Sequence, residues 1–154
     1  MPKLTFISVG ASKNSQYKAL EKEYLERLSH YTFVDTIIIA DSKKATTNEK
    51  INEESEKIIS KITPGSQIVL LDIFGKNIST EELSKKISHW DNTAVKTLTL
   101  IVGGAFGVSD ALKKLAHLRL SLSLMTFPHE MARVIMLEQL YRAYTIIRGE
   151  KYHH

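Results

Sequence analysis

Two short apolar runs, Ile68-Val69-Leu70-Leu71 and Leu98-Thr99-Leu100-Ile101-Val102, set the strongest limit on what this chain can fold into. Both are continuous rather than alternating, which is the pattern of a central strand covered on its two faces. Around them the apolar spacing turns helical, so the cover comes from segments of the same chain. Leu4 to Val9 is β-rich and stops at Gly10, and Asn14 or Ser15 then caps a helix carrying Tyr17, Leu20, Tyr24 and Leu28. Phe33 to Ile39 reads as a second strand. Asn48 to Ile62 reads as a helix with Ile51, Ile58, Ile59 and Ile62 inward and its charges outward, stopped by Thr63-Pro64-Gly65. Ser79-Thr80-Glu81-Glu82 caps a third helix with acids suited to its positive end. After Val102 come a glycine loop, a short helix behind Ser109 and Asp110, an alternating strand from His117 to Ser123, and a long helix that Gly149 stops. The order βαβαβαβαβα predicts an α/β fold, a three-layer sandwich around a mostly parallel sheet, as a single domain over residues 1–154.

Composition narrows the function classes. The chain has no cysteine, which excludes disulfides, thiolate nucleophiles and thiolate metal sites, and no metal is expected. No apolar run reaches the roughly 18 residues of a membrane span, and Met1-Pro2-Lys3 leads straight into a strand without the regions of a signal peptide. The expectation is a cytoplasmic protein with no membrane partner. Lys and Arg outnumber Asp and Glu by 21 to 17, a net charge of +4 that leans toward an anionic partner. The lysines of Asp41-Ser42-Lys43-Lys44-Ala45-Thr46-Thr47 either lie on a solvated loop or meet phosphate.

Open α/β sheets place ligands beyond the carboxyl ends of their strands, and two loops qualify. Gly103-Gly104-Ala105-Phe106-Gly107 lets backbone approach a ligand closely, but it has neither the G-x-G-x-x-G spacing of a dinucleotide loop nor the pattern of a phosphate loop. The alternative is a tight strand-to-helix turn. In the second loop, Ser121 and Ser123 alternate with leucines, Thr126 is placed as an N-cap, and Pro128 suits a first helical turn. Main-chain groups from Leu124 to Phe127 suit the edge of a flat heterocycle. The last helix is apolar over more of its circumference than one core requires, with Glu130, Arg133, Glu138, Arg142 and Thr145 as its polar file, so pairing with a second copy is its simplest outlet. Arg133 and Arg142 either pair with neighbours such as Glu138 or meet substrate phosphate. The tail Glu150-Lys151-Tyr152-His153-His154 combines a cation, an aromatic ring and two imidazoles, a set suited to an unpaired base and its backbone.

These pieces resemble the RlmH family of ribosomal RNA methyltransferases, in the SPOUT superfamily. The resemblance rests on Leu71-Asp72-Ile73-Phe74-Gly75-Lys76, Val102-Gly103-Gly104-Ala105-Phe106-Gly107, Ser121 to His129, Arg133-Val134, Glu138 to Ala143, and Tyr152-His153, in that order along the whole chain. It implies a deep C-terminal trefoil knot, a homodimer formed through the last helix, and S-adenosylmethionine as cofactor. It also implies methylation of N3 of a pseudouridine in 23S ribosomal RNA of the assembled ribosome. On that reading Leu71, Gly103, Gly104, Ser123, Leu124, Met125, Thr126, Phe127 and Pro128 enclose the methyl donor. His129, Glu138, Arg142, Tyr152 and His153 form the catalytic set, and Arg133, Lys151 and His154 bind RNA, some of them from the partner subunit.

Two departures from the family pattern stand out. Phe74 and Phe106 occupy loop positions where members often carry proline and a polar or small residue, and His154 stands where many end in arginine or lysine. The sulfonium methyl is already electrophilic, so placement and exclusion of water supply much of the acceleration. N3 must also lose a proton, to His129, His153, Glu138 or solvent. The alternative is a non-catalytic RNA- or ribosome-binding module, which the charge and the tail would equally suit. A nicotinamide-dependent oxidoreductase lacks its fingerprint.

Overall fold

The structure is a computed structural model that describes residues 1–154. Its elements alternate as the periodicity predicts: β1 (Lys3–Val9), α1 (Ser15–Ser29), β2 (Val34–Ile39), α2 (Thr47–Lys61), β3 (Gln67–Asn77), α3 (Thr80–Asn92), β4 (Thr97–Val102), α4 (Asp110–Leu115), β5 (Leu118–Ser121) and α5 (His129–Ile147). The five strands form one parallel sheet in the order β2-β1-β4-β3-β5. Of the two apolar runs, β4 lies at the centre and the Ile68–Leu71 part of β3 beside it, and both are buried.

One face of the sheet packs Leu28, Leu83, Ile87, Trp90 and much of α5 against Leu4, Phe6, Leu98 and Leu100. The other packs Ile58 and Leu112 from α2 and α4 against Ile7, Leu70 and Ile101. This is the three-layer sandwich. Helix starts follow the expected chemistry: Asn14 caps α1, and Thr46 and Ser79 form capping boxes with Glu49 and Glu82.

Four local expectations are corrected. β3 does not stop at Leu71. It bulges over residues 72–75 and rejoins β5 through Lys76 and Asn77, a register shift that periodicity alone does not encode. β5 ends at Ser121, so Ser123 belongs to the following turn, where its Oγ accepts the Met125 amide at 3.0 Å. The N-cap of α5 is Pro128 rather than Thr126, and no side chain caps that helix. Finally, α5 has no exposed file: Arg133 and Thr145 are buried, because the helix lies across the sheet between α1 and α3. Most of its apolar circumference is thus used within the chain.

Candidate active site

The carboxyl ends of β3, β4 and β5 surround a cavity of about 480 Å³, within the range of small-molecule sites. Leu71, Ile73, Val102, Phe127 and Ala132 supply apolar walls, Gly103 to Gly107 one rim, and Thr126 and His129 the other. Two features make this a place for main-chain recognition. A Cβ on Gly103 would stand 2.5 Å from Val108 Cγ1, and one on Gly104 would stand 2.7 Å from Glu54 Oε1, so the loop lies as close to its supports as a backbone can. Among the amides from Leu124 to Phe127, only that of Met125 is engaged within the chain. A flat heterocycle edge can pair with such groups, and the apolar walls suit the rest of an adenosine. The residues present therefore fit a nucleoside-bearing methyl donor, which Leu71, Gly103, Gly104, Thr126 and Phe127 would hold. Ser123 and Met125 line a smaller adjoining recess with Leu71 and Phe127. Leu124 is 94% exposed, and it and Pro128 line neither space.

Asp72 lies on the floor, where Arg119 donates to its Oδ2 from Nε at 2.8 Å and Nη2 at 2.6 Å. Burial works against the charge of Asp72, but the Phe74 amide and Arg119 outweigh it and hold the carboxyl below its ordinary range. It is an ionised structural anchor rather than a proton donor.

His129 and Arg133 stand one turn apart on α5. Arg133, expected at the RNA face, is 2% exposed, and its guanidinium donates to the Gly10 carbonyl at 2.7 Å and to the Val9 carbonyl. It ties the first turn of α5 to the end of β1. Its Nη2 also lies 2.8 Å from His129 Nε2. A guanidinium can only donate, so that nitrogen accepts and the imidazole proton sits on Nδ1. Burial first and Arg133 second hold His129 below its ordinary pKa. The ring is therefore neutral, and its one lone pair is already occupied. His129 can donate a hydrogen bond, but it cannot take a proton while Arg133 holds it.

The remaining catalytic candidates gather elsewhere. Glu138 Oε1 accepts from Arg142 Nε and Nη2 at 2.9 and 2.6 Å and from the Tyr152 hydroxyl at 3.2 Å, while Oε2 accepts from Gln139 at 2.8 Å. The Arg142 guanidinium lies 4.7 Å from the Tyr152 ring centroid, and that ring meets Tyr141 edge-on. Burial, then hydrogen bonding to Tyr24 and Glu138, raises the Tyr152 phenol well above its ordinary range, so it stays protonated. His153 turns from the tail to α3, where its Nε2 lies 2.8 Å from Glu81 Oε1. A carboxylate can only accept, which puts a proton on Nε2, while Nδ1 is enclosed within the chain and has no partner there. The tail is thus packed against its own chain up to His153, whereas Lys151 and His154 are exposed. This cleft sits at the start of α5, and Glu138 and Arg142 follow it by about 14 and 20 Å along the helix axis. Within one chain the two groups do not meet.

Sequence reasoning missed Glu54, Ser55, Asp72, Arg119 and Glu81 as supports. Glu54 and Ser55 are buried on α2, where Glu54 accepts the Ser42 amide at 2.8 Å and Ser55 accepts the Ser109 amide at 2.9 Å just after the glycine loop. Their sequence signal is positional: Ser55 falls on the stripe of Ile51, Ile58 and Ile62, and Glu54 flanks it. Asp72 and Glu81 stood inside stretches already singled out, at a strand end and at a helix start.

Comparison with known proteins agrees with this geometry. A family profile described as "Predicted SPOUT methyltransferase" matches residues 2–153. The chain is 39% identical to "Ribosomal RNA large subunit methyltransferase H" of Maridesulfovibrio salexigens, over 100% of this chain and 99% of that one. It is 40% identical to the protein of the same name from Flavobacterium psychrophilum, over 98% of each. A structure described as a "Probable Methyltransferase" from Bordetella pertussis Tohama I shares the fold with a TM-score of 0.58 at 12% identity, covering 92% of this chain and 96% of that one. A "probable methylase family protein" from Haemophilus influenzae Rd KW20 gives 0.54 at 11% identity, over 99% and 70%. A parallel sheet with a main-chain cleft at its carboxyl edge, matched along essentially its whole length, places this chain in the SPOUT methyltransferase family.

Proposed function

We propose that the chain methylates N3 of a pseudouridine in 23S ribosomal RNA of the assembled ribosome, acting as a homodimer whose two donor clefts are each completed by the partner's tail. S-adenosylmethionine is the methyl donor of this family and supplies a methyl group already activated by a positive sulfur. The observation that carries the reading is the separation along α5. A cleft suited to the donor lies at the start of the helix, and a charged and aromatic cluster suited to RNA is built on Glu138 and Arg142 in its second half. Antiparallel pairing of two such helices about a two-fold axis would bring each cluster over the other chain's cleft. Half-buried Ile135 and exposed Leu124 and Met125, beside a groove between α3 and α5, offer apolar surface for that contact. The trefoil knot belongs to the same reading.

In this arrangement the residues divide the work. Thr126, Phe127 and the glycine loop hold the donor by backbone groups, and the apolar walls exclude water from the methyl group. Arg142, kept in place by Glu138, and Tyr152 position the nucleotide. Of the groups considered for removing the N3 proton, Glu138 has its oxygens engaged by Arg142, Tyr152 and Gln139, and His129 has its lone pair on Arg133. His153 Nδ1 has no partner but is enclosed within the chain, and Glu81 orients the ring as an acid orients a catalytic imidazole. His153 is accordingly the base in this proposal, its Nδ1 uncovered when the tail engages RNA.

The test is transfer of a radiolabelled methyl group to ribosomes from a strain lacking the native enzyme, followed by mapping of the product nucleotide. Label on a 23S pseudouridine supports the reading. Donor binding by calorimetry without transfer to those ribosomes points to a different RNA, and absence of donor binding points to an RNA-binding module.

A further inference from the structure

Two phenylalanines on the donor cavity are unexplained by its role as a donor site. Phe74 is 80% exposed and Phe106 61% exposed, yet both line the same cavity and neither is on a loose loop. Phe74 is at the apex of the β3 bulge. The Phe74 amide bonds Asp72 Oδ1 at 3.0 Å, Arg119 anchors Asp72, and the chain rejoins β5 two residues later, with the Gly75 Cα pressed against the Arg119 backbone. Phe106 is in a tight turn closed by the Gly107 amide on the Gly104 carbonyl at 3.1 Å. The loops leave β3 and β4, which are neighbours in the sheet, so two rigid rings flank one opening.

An exposed aromatic ring held rigidly is costly to keep in water without a use, and the surrounding charge indicates which use. Lys50 Nζ lies 5.8 Å from the Phe106 ring centroid, Lys113 lines the cavity, and Lys76 follows the bulge; nearby Asp72 is already neutralised by Arg119, while exposed Asp110 stands 3.9 Å from Lys113. Aromatic faces beside cations are the usual platform for unpaired bases and their phosphates. We infer that Phe74 and Phe106 form a stacking gate for unpaired RNA bases at the mouth of the donor cleft, holding the nucleotides next to the one that is methylated. The inference rests on the RNA-methyltransferase reading above. It places the rings on the RNA rather than on the donor because most of each ring faces outward, beyond the walls formed by Leu71, Val102 and Phe127.

The test is the double variant Phe74→Ala with Phe106→Ala, compared with wild type and with Phe74→Trp plus Phe106→Trp. Because both rings are mostly exposed, neither change should impair folding, which circular dichroism and thermal unfolding check. The expected result is donor affinity by calorimetry within about twofold of wild type, KM for the ribosomal substrate raised about tenfold or more, and recovery in the tryptophan variant. A 2-aminopurine placed beside the target in a stem-loop RNA should lose its quenching in the alanine variant. Unchanged KM and quenching, with wild type active, overturn the gate alone. A weakening of donor affinity that matches the rise in KM also overturns it, and assigns the rings to the donor. A wild-type chain that transfers no methyl group to RNA removes the reading beneath the proposal, and the proposal with it.

Discussion

Arg133 and His129 show how a residue at a site can support chemistry without performing it. Replacing Arg133 by Met keeps the apolar stem but leaves the Val9 and Gly10 carbonyls without their donor. Relief of a buried charge offsets part of that loss, so a decrease in unfolding free energy of about 1–3 kcal/mol is expected in urea titrations. The pH dependence has a definite sign. Folding lowers the pKa of His129 from its ordinary 6.5, so below that value the unfolded chain binds this proton more readily. Stability from this group is complete above the ordinary value and declines as pH falls toward the folded one. In Arg133→Met the decline becomes smaller but persists, since burial is the larger cause; NMR titration of His129 reports it directly. Glu81→Gln gives a second check at this scale: the amide still meets His153 but no longer fixes its tautomer, so kcat falls about tenfold or more with donor affinity unchanged. Equal loss of donor binding would make Glu81 merely structural. Much of the lining of the cleft was readable because Leu71, Gly103, Gly104, Thr126 and Phe127 stand at or just beyond strand ends. Arg133 was not, because a helix apolar around most of its circumference gives a lone arginine no direction to point. Glu54 was hidden among the many charges of α2.

At the level of elements, order and layering followed from periodicity, whereas the features that shape the cleft come from irregularities. The β3 bulge is the clearest. Its second pairing with β5 brings Gly75 so close that a Cβ would lie 2.5 Å from the Arg119 carbonyl oxygen, a backbone atom that cannot swing aside. Gly75→Ala must therefore shift the bulge or break the Lys76–Leu120 register, at a cost of about 1–3 kcal/mol by thermal unfolding and with weaker donor binding. Gly65→Ala is the control, since open space surrounds that position and only its positive φ resists; it should cost less and leave donor affinity intact. No sequence signal separates these two glycines, because each follows a turn-like stretch. The difference lies in a strand 40 or more residues away. Helix α5 shows the same limit: its excess of apolar residues was legible, but α1 and α3 take up most of it, which depends on packing rather than on its own pattern.

For the whole molecule, the decisive question is whether cleft and cluster serve each other across two chains. Two inactive forms settle it. Ala105→Trp fills the cleft from an exposed loop position and leaves the tail intact, whereas removal of residues 152–154 leaves the cleft intact and deletes Tyr152 and His153. Each alone should transfer no methyl group; the truncated form should still bind donor by calorimetry. If each site joins one chain's cleft to the other's tail, co-refolding equal amounts yields heterodimers with one complete site, and random pairing restores about a quarter of wild-type activity. If a chain serves itself, every chain in the mixture carries a defect and activity stays absent. Sedimentation of the wild type adds the mass that the proposal requires, and a single subunit with full transfer activity would contradict it. About 14 to 20 Å of helix separates the cleft from the cluster within one chain, farther than a tail already pinned to Glu81 and Glu138 can cross without giving up those contacts. Recovery in the mixture is therefore the outcome expected of the proposed pairing.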